Sequence, residues 1–360
     1  MFHLKHIVKV TVQTVAQRAQ VSIGTVSRVL NEDPTVGLDL SKRVRQSIDD
    51  LGYKPLRRRR TRPAAAEGLE GKTLGLLTLG MDRSLSRLPV VSAAIDGIRE
   101  VAFEEGAHLQ IVDVPDPAVF PNGLKAQRFD GWIIKGAMQG DVWKAVHPEL
   151  KSRLETQPCV WFHGRPEGAP GWSAGVDDWE AGALAARYFK DLGHTRVAFL
   201  SPKQDHILLK RRQHGFVSTC EELGLKCAVM AKNLESWNFP LERPNSLAAV
   251  NSLLEELLRE PNQPSAIFVP ADSVAVLLYR ALAERGLNVP EDVSVISVNR
   301  EEGLIAGLFP SLTTVDIHSE EIGREAVRVL GRLLIADSEA SRQDLQIAPQ
   351  LVPGDSVKLF

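Results

Sequence analysis

From Lys72 onward, short apolar runs alternate with longer amphipathic stretches, and this alternation constrains the fold more than any other feature of the chain. The pattern predicts strands over 73–79, 109–114, 131–135, 159–162, 196–200, 226–229, 266–269 and 293–298. Helices are predicted between them over 91–105, 180–192, 213–223, 247–259, 273–285 and 319–335, and the final run, 345–357, fits a closing strand. Strands joined through helices pair mainly in parallel, so the expected body is an α/β fold with helices on both faces of its sheets. Ligands of such sheets bind beyond the carboxyl ends of the strands. That rule selects His163, Arg212, Trp237, Asp272 and Asn299 as candidates.

Composition narrows the function. The 360 residues are 44% hydrophobic and 24% charged, enough apolar content for two or three domains. No run of 18 apolar residues is present, the first residues lack a signal peptide's apolar core, and the three cysteines form no C-x-x-C pair. A cytoplasmic protein is expected. Neither a nucleophile elbow, a phosphate-binding Walker loop, an HExxH pair nor a metal-spaced cluster occurs. Binding is therefore expected rather than catalysis, with no catalytic residue, no metal and no cofactor.

The net charge of −2 conceals a division. Residues 1–62 hold 13 Lys and Arg against 5 Asp and Glu, a net of +8, while the remainder carries −10. A basic segment is either a solvated tail or a nucleic-acid-binding head, and patterning decides between them. Val12, Val15, Ala16 and Ala19 fall on one helical face, Gln20-Val21-Ser22 breaks the pattern, and Ser22 is a good N-cap for a second helix over 23–30. That helix would bury Val26, Val29 and Leu30. A third, over 40–51, would bury Leu40, Val44, Ile48 and Leu51. Two short helices joined by a tight turn and braced by a third make a helix-turn-helix module, whose second helix enters the major groove. Arg28 has the fork that reads guanine, and Ser22, Thr25 and Ser27 suit phosphates.

The stretch Val21-Ser-x-x-Thr-Val-Ser-Arg-Val-Leu-Asn31, followed by Leu51-Gly-Tyr53-x-Pro55, resembles the head of the LacI/GalR family of bacterial transcriptional regulators. The resemblance implies that Ile23, Gly24 and Arg28 choose bases, and that Ser22, Thr25, Ser27, Asn31 and Tyr53 contact the backbone or cap. It extends through Pro89 with Gly97-Ile98, Phe129-Asp-Gly-Trp-Ile-Ile134, Val176-Asp-x-x-x-Ala-Gly182, Arg212-x-x-Gly-Phe216 and Pro310-Ser-Leu-Thr-Thr-Val315. The implied fold is an all-α helix-turn-helix head (1–54), a hinge (55–71) and a two-lobed, periplasmic-binding-protein-like effector domain (72–360). Lobe 1 is expected over about 72–176 and 299–325, and lobe 2 over about 177–298 and 326–360.

Two regions depart from the family pattern. Where the family has a hinge helix with a leucine wedge, this chain has Leu56, Arg57, Arg58, Arg59, Arg60 and Arg62. They read as an arginine arm against phosphates or a narrow minor groove, with Leu56 as a substitute wedge or the whole as a flexible linker left open. In the effector pocket the resemblance matches Arg212 to the arginine that grips ligand oxygens. It places Val90 and Val91 at the usual aromatic pair, His163 and Asn299 at usual aspartates, and Ala271 at an asparagine before Asp272. Trp237 falls at an aromatic platform, and Asp272 reads first as a helix cap. The expectation is a homodimeric, DNA-binding repressor with a carbohydrate-like effector, possible anionic character following from Arg212 and His163. A regulator with a degenerate pocket and a small-molecule-binding protein with a vestigial head remain alternatives.

Overall fold

A computed structural model describes residues 12–22, 25–26, 29, 37–51, 68–234, 238–241, 246–335 and 344–360. The chain forms two compact units, Met1–Ala65 and Ala66–Phe360.

In the first unit, helices Val12–Ala19 and Leu38–Leu51 enclose a core of Val15, Ala16, Ala19, Val26, Val29 and Val44. Thr25, Val26 and Val29 are helical. Gln20 adopts φ 54°, which turns the chain between the helices, and Ser22 then caps the second by accepting from the Thr25 amide at 3.1 Å. Leu40 departs from expectation: it is 39% exposed. It sits in the first turn of a helix that begins at Leu38, outside the cluster that Val44, Ile48 and Leu51 join. Leu30 lies outside the described residues.

Among the described residues, the second unit carries twelve strands in two sheets. The strands are β1 (Thr73–Leu79), β2 (His108–Val114), β3 (Gly131–Gly136), β4 (Cys159–Phe162), β5 (Trp172–Val176), β6 (Arg196–Ser201), β7 (Lys226–Ala231), β8 (Ala266–Phe268), β9 (Ser294–Asn299), β10 (Thr313–Asp316), β11 (Asp344–Ile347) and β12 (Gln350–Val352). The first sheet runs β11-β5-β4-β3-β1-β2, all parallel. The second runs β12-β10-β9-β8-β6-β7, parallel except for β12 against β10. Central strands such as β3 and β4 are buried along their whole length, which is why they read as continuous apolar runs.

The chain passes between the sheets three times: after β5, after β10, and between β11 and β12. This corrects the lobe limits expected from sequence. Residues 299–312 and β10 belong with the second sheet, whereas helix Ser319–Ile335 packs on β3, β4 and β5 and β11 completes the first sheet. The expected single closing strand is two strands, one in each sheet.

Each lobe is locked by a pair of helices that cross at glycines. A Cβ at Gly97 would lie 2.0 Å from the Glu320 carbonyl oxygen, and one at Gly323 would lie 1.9 Å from that of Ala94. In the other lobe, Gly182 faces the Arg212 carbonyl and Gly215 that of Trp179, at 2.0 and 1.9 Å. No larger residue fits there without moving a backbone.

Candidate functional site

The carboxyl ends of both sheets of the second unit face one cavity of about 140 Å³, room for one small ring-sized molecule. Lys135 comes from the end of β3, His163 follows β4, Ala271 follows β8, and Asn299 ends β9. Val90 and Val91, in the first turn of helix Pro89–Glu104, line it from the first lobe.

Arg212 is the best-anchored group. It lies on helix Ile207–Glu222 with only 3% of its surface exposed, and its Nε donates to Asp178 Oδ1 at 2.7 Å. Its Nη1 donates to the Pro270 carbonyl at 2.6 Å and to Asn299 Oδ1 at 2.9 Å. Nη2 makes no hydrogen bond among the described residues. Asn299 Nδ2 donates to Glu301 Oε2 at 3.2 Å, and Glu301 Oε1 accepts from the Val90 amide at 3.2 Å. A polar chain thus crosses from one lobe to the other. An aspartate at 299 has no N–H to give Glu301, so the amide suits this position better than the usual acid. Burial pushes the Asp178 carboxyl up, opposed by the adjacent Arg212 guanidinium.

Two groups of the first lobe are less well provided. Lys135 is 7% exposed, and its Nζ donates to the Gly136 carbonyl at 2.8 Å. Burial lowers its pKa to about 8, only partly offset by Asp178. Among the described residues, the buried Nε2 of His163 has no hydrogen-bond partner. Burial, and then the charges of Lys135 and Arg212, lower this imidazole to about 3, so His163 is neutral and gives an anion no charge. His206 is likewise held well below its ordinary value by burial and the nearby cations; its Nδ1 accepts from Leu209 N at 3.4 Å, capping the Arg212 helix. His163 and Asn299 both hold positive φ, 50° and 119°, backbone strain of the kind that collects at ligand sites.

Asp272 is a correction. It lies behind the wall and is fully buried, where its Oδ1 accepts from the hydroxyls of Ser297 and Thr314 and its Oδ2 from the Glu301 amide at 2.6 Å. It does not cap its helix either: the cap position is Ala271 and carries no side-chain bond. Its carboxyl holds the Glu301 turn against β9 and β10. Sequence reasoning missed Lys135, Glu301, Asp178 and His206. Lys135 is the last polar residue of an apolar strand, and the strand-end rule was enough to single it out.

In the head, Ser22 is exposed and its hydroxyl lies 2.9 Å from that of Thr25, which is half-buried. Ile23, Gly24, Ser27, Arg28, Asn31, Tyr53, Leu56, Arg57, Arg58, Arg59, Arg60 and Arg62 lie outside the described residues, as does Trp237. Among the described residues, no helix is long and apolar enough to cross a membrane.

Comparison with known proteins places both units. Residues 11–55 match the bacterial regulatory proteins of the lacI family, and residues 186–357 match the periplasmic binding protein-like domain. The HTH-type transcriptional repressor PurR of Aliivibrio salmonicida (strain LFI1238) is 27% identical over 352 residues, covering 96% of this chain and 98% of that one. The ribose operon repressor of Escherichia coli (strain K12) is 28% identical over 349 residues, covering 95% and 98%. Among solved structures, the transcriptional regulator CelR in complex with cellobiose superposes with a TM-score of 0.63 at 22% identity over 97% of this chain and 100% of that one. A LacI family regulator from Enterococcus faecium with bound ribose gives 0.62 at 21% over 80% and 100%.

Proposed function

We infer that this chain, which belongs to the lacI family of bacterial regulatory proteins, is a cytoplasmic, homodimeric repressor whose grip on its operator is set by a small molecule held between the lobes. Two heads take the two halves of a near-palindromic site, because protein symmetry is mirrored in the DNA. Arg28, Ile23 and Gly24 meet the bases, while Ser22, Thr25, Ser27, Asn31 and Tyr53 hold the backbone. The arginines 57–60 and 62, with Leu56, lie against the central minor groove.

The observation that carries the effector half of this reading is the polar chain Asp178–Arg212–Asn299–Glu301–Val90 along the cavity wall. A ligand that reaches Arg212 alters a chain tied to both lobes, so its affinity differs between closure states, which is the requirement for a switch. A carbohydrate, the class expected from the resemblance, draws support from the ribose- and cellobiose-bound neighbours.

A mobility-shift titration on the DNA flanking the protein's own gene tests the reading. Wild type is expected to retard one near-palindromic fragment specifically, and Arg28→Ala to weaken that binding about tenfold or more while leaving the salt-dependent, non-specific component. A vestigial head predicts no specific fragment at all. Replacing residues 57–62 by a neutral linker is expected to lower affinity and flatten its salt dependence; an unchanged slope removes the arginine arm.

A further inference from the structure

The cations at the cavity are unevenly provided for. Among the described residues, Lys135, Lys203 and Arg212 line it with the carboxylates Asp178 and Glu301 close by, and Lys203 has a partner of its own. Asp178 is taken at 2.7 Å by Arg212 Nε, and both Glu301 oxygens already accept from protein donors. Lys135 is left with one neutral acceptor, the carbonyl of the next residue. A buried ammonium satisfied only by a backbone carbonyl costs free energy that an anion would recover. The same cavity is lined by His163, whose imidazole bonds the Val90 backbone and whose Nε2 is unpartnered among the described residues, and by Arg212, whose Nη2 makes no hydrogen bond among them.

We propose that Lys135 seats a carboxylate, and that the effector is a small monocarboxylic acid with a sparsely hydroxylated body. This rests on the reading above that the cavity holds the effector, and it replaces the carbohydrate of that reading with another ligand class. Lys135, bound only to a neutral carbonyl, suits one negative charge better than the doubly charged phosphate of a sugar phosphate. The rest of the wall decides the body. Met81, Leu85, Leu88, Leu208, Leu241 and Ile317 are apolar, while the side-chain oxygens of Asn299 and Glu301 are committed to protein donors. Apart from the Gln139 amide and His163 Nε2, the hydroxyl donors of a sugar find few open acceptors among the described wall residues, whereas an aromatic or branched aliphatic body buries against carbon. Arg212 Nη2 is placed for a single further oxygen, such as a keto or hydroxyl group. The lowered pKa of Lys135 is what burial of an unpaired ammonium produces.

Calorimetry and thermal shift on the full chain test the seat. The probes are benzoate, 4-hydroxybenzoate and 3-methyl-2-oxobutanoate, with D-gluconate, D-ribose, cellobiose and D-ribose 5-phosphate as contrasts. The apolar-bodied acids are expected to raise the melting temperature and to bind more tightly than any contrast. Lys135→Met is expected to weaken them about 10- to 100-fold, and Lys135→Arg to restore part of the loss. A ligand-independent measurement guards against a silent panel: with no ligand, Lys135→Met is expected to melt above wild type, because it removes an unpaired buried charge. Tighter binding of a neutral sugar, of the sugar phosphate or of gluconate overturns the proposal. So does no binding by any of the three acids, equal acid affinity in Lys135→Met, or a lower melting temperature of that variant. The operator reading fails separately: acids that bind and depend on Lys135, yet leave operator retention unchanged, uphold the seat and remove the regulatory role.

Discussion

In the lobe built around β6 to β10, the polar groups near the cavity are engaged before any ligand arrives. Arg212 gives three hydrogen bonds, Asn299 both accepts and donates, and Asp272 accepts from three donors behind the wall. In the lobe built around β1 to β5, among the described residues, Lys135 has one neutral acceptor and His163 Nε2 has no partner. Yet the lobes share a plan: a six-stranded sheet each, and a helix pair crossing at two glycines. The difference teaches a division of labour. One lobe is organised in advance and contributes rigidity. The other carries unmet polar demand that a ligand can meet, so closure is favoured by ligand rather than by the protein alone.

Asp178→Ala breaks this comparison most forcefully. It leaves the Arg212 guanidinium buried without its carboxylate, so a loss of about 3–5 kcal/mol in unfolding free energy is expected. Lys135→Met, in the other lobe, removes a charge that lacks a partner and is expected to change stability in the opposite direction. Denaturant melts of both variants at pH 7 give the two signs. Equal signs mean that the lobes do not differ as described.

The glycine crossings probe what the lobes share. Gly215→Ala and Gly97→Ala each force a methyl group against a carbonyl oxygen, and a loss of about 3 kcal/mol is expected from either. Their consequences for the cavity separate. Gly215 is on the Arg212 helix and its partner Gly182 faces the Arg212 carbonyl, so ligand affinity is expected to fall with Gly215→Ala. Gly97→Ala displaces helix Pro89–Glu104, which brings Val90 and Val91 but not Arg212 to the cavity, so a smaller loss of ligand affinity is expected. Parallel measurement of melting temperature and ligand affinity resolves the two effects.

These glycines also show what a sequence can display. Gly97, Gly182 and Gly215 stand in the stretches that carry the resemblance, and close backbone approach is their physical reason. The βα alternation is legible because strands covered on both faces must be apolar throughout. β5 escapes that signal, since Ser173, Ala174 and Gly175 supply little apolar surface. β11 and β12 merge into one predicted strand because nothing local says that the chain changes sheets between Ile347 and Gln350. The same crossing problem misplaces β10 and helix Ser319–Ile335. In the site, Arg212, His163, Ala271, Val90, Val91 and Asn299 meet at the cavity because strand ends and helix starts converge there. Asp272, one residue beyond Ala271, points away because Ser297, Thr314 and the Glu301 amide draw its carboxylate inward.

Asp272 sharpens the comparison through pH. Burial raises its pKa to about 6, against the pull of the Ser297 hydroxyl and the Glu301 amide. A carboxyl raised on folding contributes stability that is complete below its unfolded pKa near 4 and disappears as pH rises through 6. Even the better-bonded lobe therefore holds a charge that costs about 2–3 kcal/mol at neutral pH. Asp272→Asn mimics the protonated form: its carbonyl can accept from Glu301 N while its amide turns to hydroxyls able to accept. Relative to wild type, this variant is expected to gain stability progressively from pH 4 to pH 7. A gap that stays constant over that range shows that Asp272 does not titrate there.

The smallest effect is expected in the other lobe, from His163→Leu. With its pKa at about 3, His163 carries no charge at any pH where the protein is studied, so no ion pair is lost. Its Nε2 is buried and unpartnered, and removing such a group recovers part of its desolvation cost, about 1–2 kcal/mol. Against this stands the backbone, because φ is 50° and histidine tolerates the left-handed region better than leucine, by under about 1 kcal/mol. The sum lies between no change and about 1 kcal/mol of stabilisation in the ligand-free protein. Acid affinity is expected to hold, since Lys135 alone seats the carboxylate. A destabilisation beyond about 2 kcal/mol without ligand means that the protein itself satisfies Nε2. The contrast between a completed lobe and an expectant one then rests on Lys135 alone.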